Sequence, residues 1–268
     1  MLNFDKPLYL SWLKTKDIVI DHEHKICCFE LVYDINDDAV LDDWAKHIRR
    51  HYISDDELDD ELEMTGMDRY EYLSQNIIPD KTIRLGSTTI SGEFAEILTY
   101  DIREHILGEQ ALRGRHTFKA TPEQGVTGSD ILTYTLIASG ASDINDTLFI
   151  TESKAVLSQT DYTVITKAYN DSSKDTFRYS ISLNYLARLY RANGDMEKRT
   201  AVRRFVNKLE KDYRQEFEGS ATTSVNSYDE SKVIKEYDDG AQFKRTIFVY
   251  GKNLLDLAKQ LYERACHV

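Results

Sequence analysis

Residues 147–155 read TLFITESKA, an apolar, strand-like run that ends with Glu152 and Lys154 two positions apart. Successive side chains of a β-strand point to opposite faces, so this carboxylate and this ammonium emerge side by side on one face. A surface salt bridge is the commoner explanation for such a pair, and a catalytic pair is the alternative. The choice depends on what the rest of the chain brings to the same end of the strand.

Length and charge limit the possible classes of function. A chain of 268 residues can bury one substantial core, with at most a smaller attached lobe. Its net charge of -12 argues against an indiscriminate electrostatic grip on nucleic acid or on an anionic membrane. Any contact with phosphate groups is therefore expected to be local.

The cysteines and the N-terminal segment indicate the cellular compartment. Only three cysteines occur, Cys27, Cys28 and Cys266, and two of them are adjacent, so a disulfide framework is not expected. The N-terminus lacks a basic region followed by a sustained apolar stretch, and no run reaches the roughly 18 apolar residues of a membrane span. We expect a cytoplasmic protein with reduced thiols and no membrane segment.

The N-terminal third predicts a small sheet followed by a helix. Two strand-like runs, LYLSWL and KICCFELVY, lie within residues 8–33, and residues 37–62 have helical periodicity with Asp37 or Asp38 as the N-cap. A dense acidic stretch forms the end of this helix and is either a solvated surface or a docking face for a basic partner. Its members are Asp55, Asp56, Glu57, Asp59, Asp60, Glu61 and Glu63.

The remaining pattern alternates helices with strands. A helix is predicted to open at Ser91 and Gly92 in ISGEFAEILTYDIREHIL. The predicted strands are RGRHTFKAT (113–121), DILTYTLIA (130–138), TLFITESKA and QFKRTIFVYG (242–251). Helices are expected over 160–215 and 252–266, and a polar loop over 217–233. This order indicates an α/β fold.

The second and third of these strands form a hairpin that brings charged residues together. In an antiparallel hairpin with its turn near residues 138–147, Asp130 lies opposite the stretch 152–155. Asp130, Glu152 and Lys154 should therefore converge, and two carboxylates so placed repel each other unless a cation is shared. Hard oxygen ligands suit Mg²⁺, with Mn²⁺ as the alternative, and Asp130 and Glu152 are the expected ligands. Lys154 would orient the attacking water or neutralise developing charge.

The spacing of these residues resembles a known family. GSD at 128–130 followed by ESK at 152–154 resembles the PD-(D/E)xK nuclease superfamily, with Ser129 in place of the usual proline. The resemblance implies a restriction-endonuclease-like core (helix, three-strand meander, helix, strand) over residues 86–268 and an N-terminal α+β extension over 1–85. It also implies an acid from the first helix, for which Glu96 is the best match and Glu93 the competitor.

Within the superfamily, four segments resemble the nuclease subunit of the Hachiman anti-phage defence system. They are DELDDELEMTG (56–66), RYEYLSQNIIP (69–79), SGEFAEIL (91–98) and GSDIL (128–132). The resemblance implies a metal-dependent DNA nuclease effector regulated by a helicase or translocase partner. The alternatives are a non-catalytic binding module on the same fold and a repair or restriction nuclease that acts alone.

Other motifs are weaker. HIRRH at 47–51 has Ile48 where a zinc protease needs glutamate, so a surface or half-buried histidine pair is expected. Neither GxxxxGK[ST] nor GxGxxG occurs, so any ATP-driven strand separation would need another protein. The polar face of the helix around 198–211 is either a plain solvated face or the best local phosphate contact in this acidic chain. Its weakly predicted DNA contacts are Arg199, Arg203, Arg204 and Lys208.

Overall fold

A seven-stranded mixed sheet organises the chain in the computed structural model, which describes residues 4–117, 119–138, 142–172, 178–206, 212–240 and 243–268. The strands are β1 (Leu13–Val19), β2 (Lys25–Leu31), β3 (Gln110–Ala111), β4 (Ile131–Thr135), β5 (Thr147–Val156), β6 (Arg214–Ser224) and β7 (Arg245–Gly251). Their order across the sheet is β1-β2-β7-β6-β5-β4-β3. Strands β2, β7, β6 and β5 run parallel, while β1, β4 and β3 pair antiparallel at the two edges.

Helices cover both faces of the sheet. They are α1 (Asp38–Arg50), α2 (Asp55–Thr65), α3 (Arg69–Asn76), α4 (Arg84–His105), α5 (Val164–Ser172), α6 (Arg178–Ala192), α7 (Met196–Val206), α8 (Glu230–Gly240) and α9 (Leu254–Ala265). Short 3-10 turns occupy Leu8–Trp12 and Arg115–Thr117. None of the helices within the described ranges combines the length and the apolar character needed to cross a bilayer.

The alternation of side chains in the parallel strands divides the core. Phe29 of β2 and Val249 of β7 pack with α1, α4 and α9, whereas Phe248 packs with α5 and α8 on the opposite face. Ile150 of β5 joins α6 and α7. Strands β2 and β7 are buried on both faces, and their sequences are nearly continuous apolar runs, as in the strands of most parallel sheets. The α/β fold class is confirmed, and the nuclease-like core stays a prediction.

The N-terminal third differs from its prediction in two places. The predicted hairpin exists, but most of LYLSWL is a 3-10 turn and the first strand begins at Leu13. Asp37 caps α1 as expected, by accepting a hydrogen bond from Val40 N at 3.2 Å. The predicted single helix over 37–62 is two helices, because Ser54 caps α2 in a capping box with Glu57.

Two predictions for the middle of the chain are wrong. Helix α4 begins at Arg84, and Ser91 lies inside it with its hydroxyl returned to Ser87 O at 2.9 Å, rather than capping its start. RGRHTFKAT is not a strand within the described residues; the strand that pairs with β4 is Gln110–Ala111. Phe118 lies outside the described residues.

The polar loop predicted over 217–233 is also wrong, because it contains most of β6 and the start of α8. Hydroxyl groups make this buried strand look like a loop in the sequence. The Ser220 hydroxyl meets that of Thr99 at 2.7 Å, and the Thr223 hydroxyl donates to Val156 O at 3.0 Å. β-Branched threonine suits a strand, and these contacts offset much of the cost of burying its polar group.

The sheet is continuous across the predicted domain boundary at residue 85. Strand β2 pairs with β7 along its whole length, with Lys25 opposite Arg245 and Leu31 opposite Gly251. The division into 1–85 and 86–268 stays a prediction, but the two parts share one sheet.

Candidate functional site

The β4–β5 hairpin sets the geometry of the candidate site. Ile131 of β4 pairs with Thr151 of β5, so Asp130, one residue before β4, lies opposite Glu152. The hairpin predicted from the sequence is therefore confirmed in its pairing. Strand β5 continues beyond this point to Val156 without β4 as a neighbour, which leaves its edge open.

The carboxylate of Asp130 closes part of that open edge. Its Oδ2 accepts a hydrogen bond from Ser153 N at 3.0 Å, in the position that a further residue of β4 would otherwise fill. Its Oδ1 accepts from Arg115 Nη1 at 2.6 Å. Asp130 is thus fixed from two sides at the carboxyl-terminal half of β5.

Glu152 and Lys154 project together from one face of β5, as the spacing predicts. Lys154 Nζ lies 2.6 Å from Glu152 Oε1 and 3.0 Å from Asp171 Oδ2 of α5. Between them, Ser153 pairs with Ser220, whose hydroxyl contacts α4. Glu152 and Lys154 therefore lie on the α5 side of the sheet, and Ser153 lies on the α4 side.

Glu96 reaches the site from α4, on the other side of β5. Its Oε2 lies 3.1 Å from His116 Nε2 and 3.7 Å from Arg115 Nε, so it shares Arg115 with Asp130. Glu93, one turn earlier, is held by Lys119 Nζ at 2.8 Å and by the Tyr52 hydroxyl at 2.5 Å. This arrangement favours Glu96 as the helix acid, although both assignments stay predictions.

The four predicted residues thus form two groups on opposite sides of β5. The first group is Glu96 and Asp130, joined by Arg115, and the second is Glu152 and Lys154, joined to Asp171. A cleft of about 510 Å³ at the carboxyl end of β5 is lined by Glu96, Asp130 and Lys154, so it touches both groups.

Burial and charge shift the protonation of these groups. Burial, followed by the charge of Glu96, raises the pKa of Asp130. Burial also opposes ionisation of Glu96, but Arg115 and the hydrogen bond from His116 outweigh it and lower the pKa of that carboxyl. Burial disfavours the charged form of Lys154, yet its contacts with Glu152 and Asp171 raise its pKa. Lys154 is therefore a stable cation, suited to neutralising charge rather than to accepting a proton.

The donor set suits a hard divalent cation. Asp130, Glu152 and Glu96 offer only carboxylate oxygens, which Mg²⁺ prefers, and Mg²⁺ usually takes one or two of them beside water and phosphate oxygens. Among the described residues, three His, Cys, Asp or Glu ligand atoms come within 4.8 Å of one another only at His47, His51 and Asp101. The candidate site therefore has the right ligand type without a complete protein cage.

Four basic residues near the site were missed by sequence reasoning. Arg113, Arg115, His116 and Lys119, here named the basic strap, cross the acidic side of α4. A signal was present, because the cations of RGRHTFKAT match a series of acids in the preceding helix. Asp171 of α5 was missed as well, and no sequence pattern links it to Lys154.

The histidine pair of HIRRH is buried, which corrects the expected surface or half-buried placement. His47 Nε2 lies 2.9 Å from Asp101 Oδ1, and Arg113 Nη2 donates to the same oxygen at 2.7 Å. Arg113 Nη1 lies 2.8 Å from His51 Nε2, and burial, followed by Arg113, lowers the pKa of His51 well below its ordinary range. Since Arg113 already supplies the positive charge, this cluster is a structural ion network rather than a metal site.

The predicted DNA contacts on α7 have different exposures. Arg203 is exposed and Arg199 is half-buried. Arg204 is buried, and its Nε lies 2.8 Å from Asp146 Oδ2. The prediction that Arg204 lies on the polar face is therefore wrong, because the side chain forms a buried ion pair with Asp146. Lys208 lies outside the described residues.

The acidic stretch forms α2 and divides into two kinds of residue. Asp55 is bound by Arg49 and Arg50, and the hydrogen bond from Arg50 leads the contacts that lower its pKa. Asp56, Asp59 and Asp60 are exposed. Only the exposed members can meet a partner.

Comparison with known families identifies the chain's relatives. The HamA family model, for Hachiman-associated protein A, matches residues 7–265, which is nearly the whole chain. A comparison with curated proteins gives no match. The chain therefore belongs to the HamA family and is a component of Hachiman anti-phage defence.

Proposed function

We propose that this chain is the metal-dependent DNA nuclease of its defence system, a phosphodiesterase of the PD-(D/E)xK type that uses Mg²⁺ or Mn²⁺. The observation that carries the proposal is the hairpin that sets Asp130 opposite Glu152, with Lys154 beside Glu152 and one cleft reaching Asp130 and Lys154. A cytoplasmic location belongs to the same proposal.

The chain's own residues have distinct roles in this chemistry. Asp130 and Glu152 would hold the metal, and Glu96 would support it from α4. When bound, a divalent ion supplies an activated water and neutralises charge on the phosphate. Lys154, kept as a cation by Glu152 and Asp171, stabilises negative charge that develops on the attacked phosphate.

Substrate delivery is proposed to depend on a partner. With a net charge of -12, unassisted binding to DNA is weak because affinity comes chiefly from phosphate contacts. A helicase or translocase that carries DNA would supply those contacts. The exposed acids of α2 offer such a partner a surface complementary to a basic patch.

A non-catalytic binding module is the second candidate. The observation in its favour is that Asp130 and Glu96 share a protein cation, Arg115, so these two acids are accounted for without metal. Cleavage separates the two candidates.

The test is an incubation of the purified chain with plasmid, linear DNA and RNA, with Mg²⁺ or EDTA, alone and with the product of the neighbouring gene. We expect Mg²⁺-dependent DNA cleavage that requires or is changed by the partner. Cleavage that is independent of the partner indicates a nuclease that acts alone, and no cleavage under any condition indicates the binding module.

A further inference from the structure

The basic strap matches the acids of α4 nearly one for one. Lys119 Nζ lies 2.8 Å from Glu93 Oε1, and His116 Nε2 lies 3.1 Å from Glu96 Oε2. Further along the helix, Arg113 Nη2 lies 2.7 Å from Asp101 Oδ1 and 2.6 Å from Glu104 Oε2. These acids are three, five and three residues apart, which places them along one side of the helix. The strap therefore places a basic side chain against each acid of α4.

Arg115 differs from the other cations of the strap in its access and in its contacts. Its side chain is 13% exposed, compared with 2% for Arg113 and 5% for Lys119. Both carboxylates that it joins, Glu96 and Asp130, line the cleft. Within the described part of the chain, its buried Nε has no hydrogen-bond partner, and the 3.7 Å to Glu96 is too long for one. Arg115 is thus the least completely hydrogen-bonded of Arg113, Arg115 and Lys119.

A dication and this guanidinium compete for the same carboxylate. Asp130 Oδ1 accepts from Arg115 and Oδ2 accepts from Ser153 N, so an ion that approaches Oδ1 meets the guanidinium beside it. Like charges at such distances in a buried site weaken each other's binding strongly. Metal binding at Asp130 and the Arg115–Asp130 ion pair therefore disfavour each other.

A DNA phosphate offers Arg115 an alternative partner. The guanidinium fork matches a phosphate as well as it matches a carboxylate, and both carboxylates that Arg115 joins line the cleft where substrate would enter. Resting on the proposed function, we propose that Arg115 is a switch that pairs with Asp130 in the absence of DNA and with a substrate phosphate in its presence. Asp130 then becomes available to the metal only when nucleic acid has arrived.

The test measures Mn²⁺ affinity by electron paramagnetic resonance, with and without a phosphorothioate duplex that cannot be cut. In the parent protein, we expect the duplex to tighten Mn²⁺ binding. In Arg115→Gln, Mn²⁺ should bind about tenfold tighter than in the parent without DNA, and the duplex should add little. Arg115→Lys, which keeps the charge, should bind Mn²⁺ as weakly as the parent without DNA, and Arg115→Met, which removes the charge, replaces the glutamine variant if that variant does not fold. Arg191→Gln, at an exposed arginine of α6, is the matched control and should leave affinity unchanged.

The outcomes separate this proposal from the proposed function. Equal Mn²⁺ affinity in the parent and Arg115→Gln, with cleavage still dependent on metal, overturns the switch and leaves the nuclease intact. An absence of Mn²⁺ binding in every variant, with or without DNA, overturns both.

Discussion

Two carboxylates on α4, Asp101 and Glu96, have similar partners and very different surroundings. Asp101 is fully buried and receives the Tyr9 hydroxyl at 2.6 Å, His47 at 2.9 Å and Arg113 at 2.7 Å. Glu96 also meets a histidine and an arginine, but it shares the arginine with Asp130 and lines a cleft.

The difference lies in how many cations serve each carboxylate. Although burial opposes it, the charges of His47 and Arg113 keep the pKa of Asp101 far below its usual value. At the cleft, Asp130 has one cation, Arg115, and one further donor, Ser153 N, and burial raises its pKa. A carboxylate with ample donors stabilises the fold, whereas we propose that the accessible pair with fewer donors can bind a further cation.

The largest expected effect is on cleavage. Asp130→Ala, Glu152→Ala and Lys154→Ala should each reduce DNA cleavage by roughly a thousandfold or more, because each removes a group that acts on the metal or the phosphate. Exposed Glu23→Ala should cleave like the parent. Full activity in any of the three variants would contradict the site assignment.

Stability should separate the two carboxylate clusters. Asp101→Asn should cost about 1–3 kcal/mol, because it removes the carboxylate that His47 and buried Arg113 share and leaves Arg113 with Glu104 alone as its counter-charge. Asp130→Asn should leave the melting temperature unchanged or raise it in the absence of metal. The reason is that it removes a buried negative charge whose counter-charge, Arg115, is shared with Glu96. Thermal melts in EDTA measure both, and equal losses would remove the distinction drawn between the clusters.

Substitutions of the two acids in the first half of α4, Glu93 and Glu96, should affect different properties of the protein. Glu96→Gln should lower cleavage by about tenfold or more, because Glu96 borders the cleft with Asp130. Glu93→Gln should act mainly on stability, since Glu93 is 4% exposed and bound to Lys119. Cleavage rates and thermal melts of both variants measure these effects. A larger loss of activity for Glu93→Gln would mean that Glu93, and not Glu96, is the acid that α4 supplies to the site.

Acid should weaken the protein through His51. Its folded-state pKa lies well below the ordinary 6.5, so the unfolded chain binds the proton first. The stability that neutral His51 provides is therefore present above pH 6.5 and is lost as pH falls below it, at up to about 1.4 kcal/mol per pH unit. Urea unfolding of His51→Gln between pH 7 and 5 should show a shallower pH dependence than the parent or the exposed-site control His22→Gln. An unchanged slope would show that His51 is not a source of the acid sensitivity.

The smallest expected effect concerns the acidic face of α2. Asp56, Asp59 and Asp60 replaced together by Asn should weaken association with a helicase partner by roughly two- to tenfold at low salt, and less at high salt. Asp55 is left unchanged because Arg49 and Arg50 bind it within the fold. Co-purification across a salt series measures the effect, and equal retention at low salt would identify the face as solvated surface.

Elements whose signals are local could be predicted from the sequence. The Asp37 cap, strands β4, β5 and β7, the final helix and the hairpin that sets Asp130 opposite Glu152 all follow from residues near one another in the chain. Apolar runs, caps and turn formers act over a few residues, so their pattern is enough. The spacing of Glu152 and Lys154 on one face has the same origin.

The other features could not be predicted, because burial and charge pairing depend on residues that are far apart in the chain. The hydroxyl-rich β6 resembles a loop until its neighbours supply partners such as Thr99 and Val156. RGRHTFKAT alternates like a strand, yet its cations pair with the acids of α4 instead of joining a sheet. The sequence places Arg204 on the polar face of a helix, but in the structure its side chain is buried in an ion pair with Asp146. A charged side chain pairs with the nearest opposite charge in space, and the sequence does not give the distance between the two charges.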